Sequence, residues 1–373
     1  TTFMICACGK QQETTTFTGK ETEEPAYQGN LNAISPAAYN NVEGLNLEPG
    51  TYISIIGKDD SSSYWTNVKK GVMQAADDLN KELGYKGSDK IKVTYNAPAK
   101  SEDIDEQVNI LDEELSRYPD AVGIASIDSA ACSVQFDLAT ANGIPIISLD
   151  SGNEYKGIQC IVKTDNEDAA RTGAYKLANE IGDEGQVILV VHDSNSETAK
   201  ERAKSFEEEI KNNYPSVSIV ETIYCDKLDD LKKKIALEKD PNISEDLQKA
   251  AVEKMTDDEV MQYYLKKYPD LKGVFGTNES STIFALEALQ KTELAGKVTL
   301  VGFDISEEQT AAMKNGEIAG LVVQNPFGMG YASVVAAART VLQSGNEAVV
   351  DTGYIWVTKD NLEDESIQNM LYK

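Results

Sequence analysis

From Thr51 onward, short runs rich in β-branched residues alternate with longer stretches of helical period, and this alternation constrains the fold more than anything else in the chain. The run TYISII (51–56) is followed by a helical pattern over 64–83, with Val68, Val72, Ala75, Ala76 and Leu79 on one face. KIKVTYN, AVGIASI and IPIISLD read as the next strands, with helices between them over 102–117 and 129–142. Strands joined by whole helices, rather than by tight turns, make a parallel sheet with crossovers. The pattern restarts near Asp165. Helices are expected over 166–181, 197–212, 280–291, 307–315 and 327–344, with strands QVILVVHD, SVSIVETIY, GVFGTN, VTLVGFD, IAGLVVQ and DTGYIWVT. The predicted fold class is α/β: two doubly wound parallel-sheet lobes in series. The stretch 226–268 is too long for one crossover helix. NISEDLQ and MTDDEVM within it are helix-start signals, predicting two or three short exposed helices as an insertion.

The 373 residues suffice for two domains with full cores. With 62 acidic and 35 basic side chains, a formal charge of -27, the surface repels phosphate backbones and anionic headgroups. Nucleic acid is therefore not an expected partner. No internal apolar run approaches the ~20 residues that span a bilayer. The five cysteines form no C-x-x-C pair and His192 is the only histidine, so no metal site is expected; Cys132, Cys160 and Cys225 read as buried thiols. The start, TTFMICACGK, is a short apolar run ending at Cys8-Gly9, the form of a lipoprotein signal remnant over 1–8 with Cys8 as lipidation site. Residues 9–50 are polar in composition and read as a flexible tether.

Open parallel sheets bind ligands beyond the carboxyl ends of their strands. At those ends stand Ser62, Ser63, Tyr64, Trp65, Asp128 and Asp150-Ser151 in the first half. The second half places His192-Asp193, Thr277-Asn278-Glu279, Asp304 and Gln324 there, with Arg202 on the helix after QVILVVHD. Carboxylates and amides match vicinal hydroxyls, arginine adds fixed donors, and an aromatic ring packs on the apolar face of a sugar. A phosphate site would require glycines in the first turn, and GKDDSSSYW has none beyond Gly57. Each residue also has a plainer reading. The three aspartates can cap helices, Tyr64 and Trp65 can be core, Arg202 can be a solvated helix charge, and His192 is read as structural.

The combination GIPIISLDS, AKERAKSF, FGTNE, LVGFD and VVQNPFGMGY over 51–373 resembles the type I periplasmic binding proteins, in particular the ribose-binding branch that serves ABC importers. That resemblance implies two lobes: 51–164 plus 325–353, and 165–324 plus 354–373. A monosaccharide would be held in the cleft by Ser62, Ser63, Tyr64, Trp65, Asp128, Asp150, Ser151, Arg202, Asn278, Asp304 and Gln324. It implies no cofactor, no catalysis, an ABC permease as partner, a monomer, and an extracellular position on a lipid anchor. Two positions depart from the pattern: Ser151 stands where the family's ribose binder has Arg, and Ser62 where it has Asn. A sensor presenting sugar to a receptor uses the same fold. For enzymes, G-x-S-x-G, H-E-x-x-H and G-x-G-x-x-G are all missing from the sequence.

Overall fold

The computed structural model describes residues 23–158 and 160–372. Its strands are β1 (Tyr52–Ile56), β2 (Lys92–Asn96), β3 (Ala121–Ile124), β4 (Ile146–Leu149), β5 (Ile161–Lys163), β6 (Gly185–Val191), β7 (Val217–Tyr224), β8 (Leu271–Gly276), β9 (Thr299–Phe303), β10 (Gly320–Gln324), β11 (Val349–Asp351) and β12 (Tyr354–Val357). They form two six-stranded sheets, ordered β11-β5-β4-β3-β1-β2 and β12-β10-β9-β8-β6-β7. Every pairing is parallel except β12, which runs antiparallel to β10. In each sheet the opening strand, β1 or β6, has its successor on one side and the third strand on the other. The winding direction reverses there, which opens a crevice at the carboxyl ends. The chain passes between the sheets three times, after β5, after β10 and after β11.

The strands are apolar because both sheet faces are covered. Residues of β3 and β4 are buried throughout, and so are those of β10. The helix Ser63–Leu83 crosses the helix Pro326–Val341 so closely that a Cβ added to Gly71 would sit 2.0 Å from the Phe327 carbonyl oxygen. One added to Gly330 would sit 2.0 Å from that of Val68. Glycine at both positions lets the backbones meet.

The expected elements form, with three differences. The strands β5 and β11 are three residues each and carry no alternation long enough to read. The insertion folds as three helices, within the two or three expected, Leu228–Lys239, Glu245–Lys254 and Asp257–Lys267, but they are not all exposed. Only the middle one lacks buried residues, while the third buries Val260, Met261, Tyr264 and Leu265.

The third difference is a correction. Residues 23–50 are not a tether; they fold onto the first lobe, and Leu31, Ile34, Tyr39, Val42, Leu45 and Leu47 are buried in its core. Ser35 and Asp351 exchange backbone hydrogen bonds at 2.8 and 2.9 Å, adding a bridge beside β11. The Asn325 amide donates to the carbonyls of Asn30 at 2.7 Å and Thr352 at 2.9 Å. Apolar residues spaced among many polar ones carry this packing, and average composition conceals them. Cys8 and the rest of 1–22 lie outside the described residues.

Candidate functional site

The stretch after β1 builds one wall. Ser62 opens the helix Ser63–Leu83, its hydroxyl accepting from the Trp65 amide at 3.3 Å. Asp59 shapes the turn before it, accepting from the Ser61 and Ser62 amides at 3.1 and 2.9 Å. This places Tyr64 and Trp65 on the first helical turn, edge to face with ring centroids 5.2 Å apart. Both face a cavity of about 350 Å³ between the lobes.

Two aspartates hold corresponding places in the two sheets. Asp150 follows β4 and Asp304 follows β9, and both adopt left-handed backbone, with φ of 59° and 67°. Aspartate tolerates this region better than most residues, and such conformations persist where the surroundings over-determine them. The Tyr64 hydroxyl donates to Asp150 at 2.6 Å, and Lys58 Nζ lies 3.5 Å from its other oxygen. Asp304 accepts from Gln324 Nε2 at 2.7 Å, the Tyr372 hydroxyl at 2.9 Å and the Glu279 amide at 3.2 Å.

Gln324 links the site to a crossing between the sheets. Its Oε1 accepts from Thr164 at 2.8 Å and from Arg202 Nη2 at 3.0 Å, while its amide faces Asp304. Arg202 is buried. Its Nε donates to Asn166 at 2.9 Å and its Nη1 to the Thr277 carbonyl at 2.7 Å, with the guanidinium over the Phe303 ring. The solvated reading of Arg202 is therefore set aside.

The lobes also touch across the cleft. Ser63 donates to Glu279 at 3.4 Å, Lys200 to Ser129 at 3.1 Å, and the Ser129 amide to the Asn195 carbonyl at 3.4 Å. Burial pushes Glu279 up to about 7, with the Asp304 charge adding to it. Glu102 belongs to an exposed turn, but its carboxyl turns in against Asp193. Burial there outweighs the attraction of Lys58 and lifts it to about 7 as well. Burial lowers His192 to about 3 despite the neighbouring Asp193. It is thus a neutral ring, with Nδ1 2.7 Å from the Thr277 hydroxyl.

Eight of the eleven expected residues line the cavity: Ser62, Tyr64, Trp65, Asp150, Arg202, Asn278, Asp304 and Gln324. The other three do not. Asp128 turns to its own loop, where it accepts from the Ala130 amide at 2.8 Å. Ser151 is fully buried, and its hydroxyl has no hydrogen-bond partner among the described residues. Ser63 is spent on the bridge to Glu279. Glu279, which the sequence places beside Asn278 at a strand end, lines the cavity as well, and Lys58, Asp59 and Thr198 line it without having been anticipated. Lys58 and Asp59 lie within three residues of the end of β1, while Thr198 stands on the first turn of the helix Glu197–Asn213. Glu102 and Phe284, also in the lining, come from a loop and a helix interior that no strand-end rule reaches. Among the described residues, no three His, Cys, Asp or Glu side chains are placed to hold a metal ion, and no helix is long and apolar enough to cross a membrane.

Two largely parallel sheets, joined by three crossings, thus face one cleft, an arrangement found in known proteins. A family described as "Periplasmic binding protein domain" matches residues 53–346. The chain belongs to this family. Among its relatives, the ribose import binding protein of Bacillus subtilis is 23% identical over 278 residues, covering 74% of this chain and 77% of the relative. The Escherichia coli ribose import binding protein is 23% identical over 310 residues, covering 83% and 90%. A carbohydrate transporter solute-binding protein from Agrobacterium radiobacter, solved with D-arabinose, superposes with a TM-score of 0.69 at 28% identity, covering 86% of this chain and 98% of the other. An ABC transporter solute-binding protein from Agrobacterium vitis, solved with D-fucose, gives 0.69 at 26% identity over 86% and 100%. This periplasmic binding protein thus shares its fold with relatives solved with sugars, and its own Asp150 and Asp304 stand on opposite sides of one cleft.

Proposed function

We propose that this chain captures a monosaccharide in the cleft between its lobes and hands it to an ABC importer. The observation that carries the reading is the pairing of Asp150 and Asp304, one from each sheet, around a cavity walled by Tyr64 and Trp65. A sugar hydroxyl donates well to a carboxylate whose position is already fixed, and both carboxylates are fixed by tyrosine and amide donors. Trp65 supplies the apolar wall for a ring face. His192 Nε2 lies 3.3 Å from the Thr198 hydroxyl in this lining, but burial lowers the ring to about 3, too weak a base to activate a hydroxyl near neutral pH, and we read the role as binding rather than catalysis.

Closure follows from the connections. The three passages between the sheets are the flexible joints, and Gln324 sits at one of them while touching both Thr164 and Asp304. A ligand that bonds both aspartates has differential affinity for the closed state, which is the only way it can favour that state. That relatives of this chain are ribose import binding proteins supports delivery to a permease. We further read the protein as a monomer on the outer face of the membrane, held there by lipid on Cys8.

A thermal-shift screen of the whole chain against about forty monosaccharides, polyols and nucleosides tests this reading. A ligand at about 100 times its dissociation constant adds about 2.7 kcal/mol of stability. No shift with any of them, in a folded protein, would refute the sugar reading.

A further inference from the structure

The cavity holds more carboxyls than a neutral sugar needs. Asp59, Glu102, Asp150, Glu279, Glu287 and Asp304 line it, against Lys58 and Arg202. Among the described residues the one ion pair in this set joins Lys58 to Asp150 at 3.5 Å. Arg202 commits three of its N–H groups to Asn166, Thr277 and Gln324 rather than to a carboxylate. A carboxylate withdrawn from water without a cation is costly, and that cost falls when a cation arrives with the ligand. The carboxyls are not gathered as for a metal ion, since no three are placed to ligate one.

We propose that the physiological ligand is an amino sugar or amino polyol, with Glu279 as the anchor of its ammonium group. This rests on the sugar-binding reading above. Glu279 stands on the first turn of the helix Glu279–Lys291, beside Asp304, whose carboxylate its own amide contacts at 3.2 Å. The acidic groups acting on it are Asp304, Asp59 and Glu308, and its nearest polar partner across the cleft is the Ser63 hydroxyl. An ammonium placed between Glu279 and Asp304 would meet two acceptors at once, leaving Asp150 and Tyr64 to the hydroxyls. Trp65 and Phe284, in the same lining, supply aromatic rings of the kind that attract a cation. Burial raises the Glu279 carboxyl to about 7, and the charges of Asp304, Asp59 and Glu308 push it the same way.

Calorimetry at about pH 7 compares glucosamine, galactosamine and mannosamine with their neutral parent hexoses and their N-acetyl forms, on the whole chain. At least one amine should bind about tenfold or more tightly than its parent, a difference of about 1.4 kcal/mol. Added salt should weaken the amine and leave the parent unchanged. Glu279→Gln should erase the preference while the neutral parent still binds, which also shows that the variant is folded. Neutral sugars binding as tightly as the amines, or a preference that survives Glu279→Gln, would overturn this inference and leave the sugar reading intact. No binding of either class to the folded protein would overturn both.

Discussion

At the scale of single residues, position in the fold separates cavity-lining residues from neighbours that merely share a motif. Asp150 and Ser151 are adjacent in sequence, yet Asp150 faces the cavity and Ser151 is sealed behind it. Ser151→Ala should therefore leave sugar affinity within about twofold and add roughly 1 kcal/mol of stability, because it removes a buried hydroxyl with no partner. Trp65→Ala should weaken binding by about tenfold or more through loss of the stacking wall. Calorimetry and denaturant melts on the two variants check both expectations. The rule that ligands lie beyond strand ends was legible from the alternation alone, and it located Tyr64, Trp65, Asp150, Asn278, Asp304 and Gln324. It could not tell Asp128 from Asp150, since direction of a side chain depends on backbone torsion. Asp150 is left-handed, and no sequence pattern announces that.

At the scale of elements, long periodic helices and apolar strands were readable because tertiary packing demands their periods. Short elements were not. The three-residue β5 and β11 exist because their neighbours pair with them, and the 23–50 segment folds because a prepared surface awaits Leu31, Ile34 and Tyr39. A chain starting at residue 48 should thus lose several kcal/mol from the first lobe, as six buried apolar side chains leave at about 1.5–3 kcal/mol each, less the ordering entropy they no longer cost. Its urea midpoint should drop clearly below that of the full chain; an unchanged midpoint would return the segment to the status of a tether. The crossing at Gly71 is a second test. Gly71→Ala forces a methyl onto the Phe327 carbonyl and should destabilise by about 1–3 kcal/mol in urea unfolding, whereas the helix propensity of alanine alone would stabilise.

At the scale of the whole molecule, the cleft couples folding to pH. Glu102 and Glu279 are raised to about 7 from an ordinary 4.5, so between those values the native state binds more protons than the unfolded chain. Stability from these groups is then greatest at low pH and falls as pH rises through about 7. His192 acts oppositely, its proton lost at about 3 in the native state but at 6.5 unfolded, so its contribution is complete above 6.5. Melting temperature should therefore fall between about pH 6.5 and 8, and the double variant Glu102→Gln, Glu279→Gln should flatten that slope. A slope unchanged in the double variant would place the titration elsewhere.

The same scale holds the central claim, that one sugar is gripped by an aspartate from each lobe. The most direct test is calorimetric titration of the sugar found by screening into the wild type, Asp150→Ala and Asp304→Ala. The expected result is one site per chain, with each substitution weakening binding by about 100-fold, as loss of a charge-assisted pair of hydrogen bonds implies. Full affinity in either variant, or more than one site per chain, would contradict it.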